Sequence, residues 1–202
     1  FATIVGSNGA GKSTLFNALT GLRQHTGNWA GKTVETAQGH CQWRGRDLTV
    51  VDLPGTYSLA ALSPEEKVAR DYIASGQASA VVVVCDAGCL ERNLILALQV
   101  LELTGRVVVC VNLMDEARRH GIQVDLEELS RRLKVPVVGI SAGRREGLDA
   151  LLEAVCRVAD GVVTPDSLAQ KAGAEERATL AQRYAGQVVR CRRADYLRRQ
   201  RQ

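Results

Sequence analysis

The sequence predicts an α/β fold, a mostly parallel six-stranded sheet with helices on both faces and a short helical segment at the C-terminal end. Three observations carry this prediction. Apolar runs of strand length at 1–5, 48–51, 80–85, 107–111 and 135–140 alternate with helical patterns at 13–20, 65–74, 90–103, 125–133 and 147–158, the order that builds a parallel sheet covered on both sides. The segments rich in Gly, Asp, Asn and Lys fall directly after those apolar runs, at the carboxyl ends of the predicted strands, where open α/β sheets bind ligands. The chain has 202 residues, 46% of them hydrophobic, enough for one doubly covered core and an appendage.

Taken in order, the first strand Phe1-Ala2-Thr3-Ile4-Val5 runs into Gly6-Ser7-Asn8-Gly9-Ala10-Gly11-Lys12-Ser13, and Thr14-Leu15-Phe16-Asn17-Ala18-Leu19 then reads as helix. The segment is a complete G-x-x-x-x-G-K-[ST] phosphate loop in the strand-loop-helix setting that it requires. Its glycines let successive N–H groups converge on phosphates at a helix N-terminus. Lys12 supplies the charge for the β- and γ-phosphates and Ser13 the hydroxyl for Mg²⁺. Residues 27–35 follow, glycine-rich and without apolar periodicity, and read as a mobile loop. Gly31, Lys32, Thr33, Val34 and Glu35 in this loop are nucleotide-contact candidates. The Thr33 hydroxyl is the candidate that joins the Mg²⁺ shell only when a γ-phosphate is present, and Trp29 fluorescence is expected to report that capture. Gln38 to Arg44 reads as an antiparallel edge strand, joined through Gly45-Arg46 to the strand at 48–51.

That strand ends in Asp52-Leu53-Pro54-Gly55, with a carboxylate for the Mg²⁺ shell, through water, and a glycine N–H for the γ-phosphate. The strand at 107–111 ends in Asn112-Leu113-Met114-Asp115. A carboxylate there accepts two hydrogen bonds from guanine N1–H and the 2-amino group, whereas adenine would leave it unpaired at a cost on the order of a few kcal/mol. After the strand at 135–140, Ser141-Ala142-Gly143 fits a loop whose backbone N–H meets guanine O6. The candidate nucleotide contacts are therefore Gly6, Ser7, Asn8, Gly9, Ala10, Gly11, Lys12, Ser13 and Thr14 at the phosphates, Asp52, Leu53, Pro54 and Gly55 beside them, and Asn112, Leu113, Met114, Asp115, Ser141, Ala142 and Gly143 at the base. Lys12, Thr33 and Gly55 are the catalytic candidates; Ser13, Thr33 and Asp52 are the metal ligands. The residue after Gly55 is Thr56, not the glutamine that orients water in many GTPases, so slow hydrolysis is expected. These features make the chain a P-loop GTPase, a G domain. An ABC-type ATPase is excluded: Ala74-Ser75-Gly76-Gln77 is only a fragment of that family's signature, and Asp86 is followed by Ala87 instead of a glutamate.

The sequence resembles the cytosolic G domain of the bacterial ferrous-iron transport protein B family, FeoB. The resemblance rests on Leu15 to Gly21, Gly27-Asn28-Trp29-Ala30-Gly31 with Thr33-Val34-Glu35, Asp52-Leu53-Pro54-Gly55-Thr56-Tyr57-Ser58-Leu59 and Leu90-Glu91-Arg92-Asn93-Leu94, and covers roughly residues 1 to 160. It implies a GTP-binding, slowly hydrolysing regulatory domain at the cytoplasmic face of the inner membrane, using GTP/GDP and Mg²⁺. The implied partners are the chain's own transmembrane iron-permeation domain, small Feo accessory proteins and a homo-oligomer, with no nucleic acid. The implied division is a G domain over 1–160 and a partial helical subdomain over 161–202. Three departures stand out. Gly9 replaces the asparagine that the family associates with a K⁺ ion, Lys32 replaces an apolar residue before the switch threonine, and the remaining helical part is short.

The six cysteines form no C-x-x-C pair, and with His25, His40 and His120 they complete no ligand cluster, so they read as small hydrophobes in a reducing compartment. No apolar run reaches 18 residues, and the start at Phe1, already in a strand, reads as trimmed. The net charge of +4 is concentrated in Arg190, Arg192, Arg193, Arg198, Arg199 and Arg201, read as a solvated helix face within a helix from Ala174 to Arg193. The alternative, an RNA-associated GTPase of the ribosome-assembly or tRNA-modification type, would use this arginine run but does not explain Gly27-Asn28-Trp29-Ala30-Gly31. A nucleotide-gated scaffold without turnover is separated from an enzyme by a hydrolysis assay.

Overall fold

The computed structural model describes residues 1–21, 24–28, 35–161 and 173–190. The elements run β1 (Ala2–Gly6), α1 (Lys12–Thr20), β2 (Gln24–Asn28), β3 (Glu35–Trp43), β4 (Arg46–Asp52), α2 (Pro64–Ala74), β5 (Ala80–Asp86), α3 (Leu90–Leu103), β6 (Val107–Asn112), α4 (Met114–Arg119), β7 (Gln123–Val124), α5 (Leu126–Leu133), β8 (Val137–Gly139), α6 (Leu148–Ala159), α7 (Ala174–Val188) and β9 (Val189–Arg190). The main sheet has the order β2-β3-β4-β1-β5-β6-β8. Its five strands from β4 to β8 pair in parallel, and β2 and β3 add an antiparallel edge.

Burial on both faces explains the unbroken valine runs. In β5, Val81, Val83 and Cys85 enter the core beneath α2, α3, α5 and α7, while Ala80, Val82 and Val84 enter the one beneath α1 and α6; β6 divides Val107, Val109 and Val111 from Val108 and Cys110 in the same way. Each such valine contributes about 1.5–3 kcal/mol relative to exposure. Burial also pushes the Cys85 thiol up to about 12 and Cys110 well above its ordinary value, so both stay protonated and act as apolar packing.

Local chemistry sets the helix ends. Ser63 Oγ caps α2 by accepting the Glu66 N–H at 3.2 Å, the Glu66 carboxylate reaches back to the Leu62 N–H at 2.9 Å, and Pro64 takes the first turn, where no N–H is needed. Asp125 caps α5 through the Glu128 N–H at 2.9 Å. The turn from β3 to β4 is only Arg44-Gly45, with φ of 46° and 76°, the left-handed pair that matches a two-residue hairpin to the strand twist.

Three sequence expectations change. The main sheet has seven strands among the described residues, not six: residues 24–28, expected to lie in or beside a loop, form β2 against β3. Their sequence Gln-His-Thr-Gly-Asn has no apolar alternation and so carries no strand signal, yet it pairs with β3 along its length. A short helix, α4, starts inside Asn112-Leu113-Met114-Asp115, a strand end after which the sequence marked no helix before residue 125. The C-terminal helix, expected to reach Arg193, stops at Val188, because Val189 and Arg190 pair with β7 in a separate two-stranded sheet. Residues 191–202, which hold the rest of the arginine run, lie outside the described residues. Ala181, Ala185 and Val188 form one fully buried face of α7 in the core shared with α3, and Arg177 Nη1 bonds both Glu102 carboxylate oxygens at 3.0 Å. Among the described residues no helix is long and apolar enough to cross a membrane.

Candidate nucleotide-binding site

The phosphate loop spans the end of β1 and the start of α1. Gly9 and Gly11 take φ of 89° and 79°, which L side chains rarely adopt. Gly11 has a second constraint, because a Cβ there would run into Asn112 Nδ2. The first N–H groups of α1 have no intrahelical partner and open toward the loop, with Ser13 and Thr14 exposed at that mouth.

Asp52 ends β4 next to this loop. Lys12 Nζ donates to Asp52 Oδ1 at 2.5 Å, and both side chains are largely buried, 10% and 13% exposed. Burial pushes the Asp52 carboxyl up; the Lys12 charge and hydrogen bond pull it back without cancelling the rise. A hydroxyl at Ser13 and a carboxylate at Asp52 are hard oxygen donors that fit Mg²⁺. Leu53 N–H bonds Ile4 O at 3.0 Å and Thr56 N–H bonds Gly6 O at 3.0 Å, so the Asp52 to Gly55 segment runs beside β1 and the phosphate loop. Gly55 lies against the Asn8 side chain: the position of a Cβ on Gly55 overlaps Asn8 Oδ1.

At the other end, the fully buried Asn112 ties two loops together. Its Nδ2 donates to Ala10 O at 3.0 Å and its Oδ1 accepts the Ala142 N–H at 3.0 Å, which joins the phosphate loop to the base loop. Leu113 has a left-handed φ of 62°, and Met114 N–H bonds Ile140 O at 3.1 Å. The Asp115 N–H donates to the buried Ser141 Oγ at 3.1 Å. Burial pushes the Asp115 carboxyl up, but hydrogen bonds from the Glu116 N–H, its own N–H and Ser141, together with the Arg144 charge, hold it below the usual carboxylate range. Arg144 Nε lies 3.1 Å and Arg119 Nη2 3.6 Å from Asp115 Oδ2.

The structure thus brings Gly6 to Thr14, Asp52 to Gly55, Asn112 to Asp115 and Ser141 to Gly143 to the carboxyl edge of the sheet. Of the remaining candidates, Gly31, Lys32, Thr33 and Val34 lie outside the described residues, as do Arg23 and Trp29, and Glu35 is the first residue of β3. Sequence reasoning did not assign roles to Asn93, Tyr57, Gln99 or Arg144. Asn93 Oδ1 accepts Ser7 Oγ–H at 3.3 Å and the Asp86 N–H at 2.8 Å, fastening the loop to α3 and β5. Tyr57 Oη donates to Asn8 O at 3.1 Å beneath the Arg92 guanidinium, 4.1 Å from the ring centre. Gln99 accepts the Leu59 N–H at 2.8 Å and donates to Ser58 Oγ at 3.2 Å. Single polar residues on an amphipathic helix such as α3 carry no local signal of such partners.

Comparisons with known proteins agree with this geometry. The family model described as "Ferrous iron transport protein B" matches residues 1–155. The Fe(2+) transporter FeoB of Salmonella typhimurium (strain LT2) is 45% identical over 158 residues, 76% of this chain and 20% of that protein, so the chain spans about a fifth of the length of the curated relatives it matches. The G domain of the T. maritima FeoB iron transporter superposes with a TM-score of 0.73 at 40% identity, covering 78% of this chain and 97% of that one. The cytosolic domain of the same transporter in GMPPNP form has a TM-score of 0.82 at 26% identity, covering 94% of this chain and 98% of that one. With the family model matching most of its length and the phosphate and base loops set at one sheet edge, the chain belongs to the ferrous iron transport protein B family and has the fold of that family's GTP-binding G domain.

Proposed function

We propose that the chain binds GTP with Mg²⁺, hydrolyses it slowly to GDP and phosphate, and acts as the regulatory domain of a ferrous-iron membrane transporter. The observation that supports the reading is the Asn112 bridge, which ties Ala10 of the complete phosphate loop to Ala142, with Asp115, the carboxylate proposed to read guanine, three residues after Asn112. Lys12 and the N-terminus of α1 neutralise the phosphates; Ser13 and, through water, Asp52 would hold Mg²⁺, which would supply further charge stabilisation of the transferring phosphoryl group. Binding exchanges two ion pairs: phosphate takes Lys12 from Asp52, and the base takes Asp115 from Arg144. The second exchange costs little, because exposed ion pairs contribute only about 0–1 kcal/mol.

Gly55 meets the γ-phosphate and Thr33 captures the loop over 27–35 when that phosphate is present, so nucleotide state gates or regulates Fe²⁺ uptake by a transmembrane domain of the same protein at the cytoplasmic face of the inner membrane. Small Feo accessory proteins and further copies of the chain are the proposed protein partners, and nucleic acid is not one. Residues 161–202 are proposed to begin the helical subdomain that leads to the membrane part.

Phosphate release from GTP with Mg²⁺ tests the enzymatic reading, and Asp115→Asn tests the base site. The variant is expected to prefer XTP to GTP, since an amide donor facing N1–H removes the acceptor that guanine needs. Retained GTP preference in the variant, or no turnover in the unmodified chain, overturns the corresponding part.

A further inference from the structure

We propose that the Asn8 side chain orients the water that attacks the γ-phosphate, a role that rests on reading this site as a GTPase. Thr56, which stands where other GTPases carry a water-orienting glutamine, cannot serve: it is 3% exposed and its hydroxyl donates to Ser58 O at 2.5 Å. Among the described residues around the phosphate end, three other polar side chains already have partners. Ser7 is bonded to Asn93, Lys12 to Asp52 and Tyr57 to Asn8 O, and Ser13 is the hydroxyl proposed for Mg²⁺. Asn8 is exposed, and its amide lies over Gly55, the glycine whose N–H is assigned to the γ-phosphate. The three atoms nearest a Cβ on Gly55 all come from Asn8, with Oδ1 first, Cγ at 2.9 Å and Nδ2 at 3.6 Å. Its backbone is held on both sides, by Tyr57 at its own carbonyl and by Asn93 through Ser7.

A primary amide has the two faces this task requires. Oδ1 accepts a hydrogen from water while Nδ2 donates to a γ-phosphate oxygen. The amide takes no proton. The water oxygen bonds to phosphorus, the bond from phosphorus to the β–γ bridging oxygen breaks with its electron pair leaving on GDP, and the water proton passes to a phosphate oxygen, giving inorganic phosphate. Holding the water in line supplies the positioning part of catalysis, and the Nδ2 donor supplies charge stabilisation.

Single-turnover hydrolysis with Mg²⁺ tests the proposal. Asn8→Ala is expected to slow the step about tenfold to a hundredfold, to keep GDP affinity within about twofold because GDP has no γ-phosphate for Nδ2 to meet, and to lose binding of GDP with aluminium fluoride while still binding a non-hydrolysable GTP analogue. Asn8→Asp keeps an acceptor but puts a negative charge toward the γ-phosphate, so it is expected to lose hydrolysis and to weaken GTP more than GDP. An Asn8→Ala protein that hydrolyses as fast as the unmodified chain, or faster, overturns the proposal, as does an Asn8→Asp protein with unchanged GTP affinity. A loss confined to K⁺ buffer also overturns it, because the amide would then be a cation ligand. Failure of the GTPase reading is distinguishable: the unmodified chain would then show no guanine preference or no phosphate release.

Discussion

At the scale of single residues, the candidate side chains of the site are held in ion pairs with one another and with their neighbours. Lys12 rests on Asp52 and Asp115 on Arg144, each a cation beside a carboxylate at hydrogen-bond distance. Asp115, held below the usual carboxylate range, stays ionised at neutral pH, the form that the proposed guanine contact needs. Gly9 is the residue where a specific departure from the family leads to a prediction. A side chain at this position meets nothing within 4 Å, although φ of 89° is strained for anything but glycine. With no side-chain oxygen there, hydrolysis is expected to be nearly equal in K⁺ and Na⁺ buffers, and Gly9→Asn to introduce a preference for K⁺. Phosphate release in the two buffers checks this, and strong K⁺ stimulation of the unmodified chain would show that another group holds the ion.

At the scale of elements, Asn112 makes β6 the hinge pin between phosphate and base loops. Asn112→Ala removes two buried hydrogen bonds and leaves Ala10 O and the Ala142 N–H without those partners, each at about 1–3 kcal/mol. The expected outcome is a loss of roughly 2–5 kcal/mol in denaturant unfolding, together with weakened GTP binding even though Asn112 need not touch the nucleotide. Unchanged stability would mean that waters or neighbouring groups replace both bonds. The fit of Gly11 against the same side chain shows why glycine stands there: the loop must pass close to Asn112 and turn left-handed at one residue.

At the scale of the whole molecule, α7 is part of the core. Its Ala181, Ala185 and Val188 face joins the cluster of α3 and α5, and the Arg177–Glu102 pair, 17% and 15% exposed, anchors its first half to α3. Arg177→Ala is expected to cost about 1–3 kcal/mol, because Glu102 loses its cation in a partly desolvated place. That corresponds to a fall of a few degrees in Tm, about 2–4 °C per kcal/mol for a chain of this size. Guanine affinity is expected to stay within about twofold, since α7 contributes no residue to the site, and thermal unfolding with a nucleotide titration measures both.

The sequence by itself determined the parallel sheet and the places of the phosphate loop, Asp52 to Gly55, Asn112 to Asp115 and Ser141 to Gly143. These are short-range patterns: a valine run buried on both faces, a glycine that must turn left-handed and a serine or aspartate at a helix start are each dictated by a few neighbouring residues. Tertiary structure decided what depends on partners distant in the chain. The strand β2 exists because a polar segment finds the backbone of β3, and α7 stops where β9 finds β7. The bridge made by Asn112 to Ala10 and Ala142, the tie of Ser7 to Asn93 and the placement of the Asn8 amide on Gly55 join residues 30 to 102 positions apart. A hydrogen bond across such a separation leaves no periodicity in the sequence, because what makes it is the packing that brings the two groups within hydrogen-bond distance.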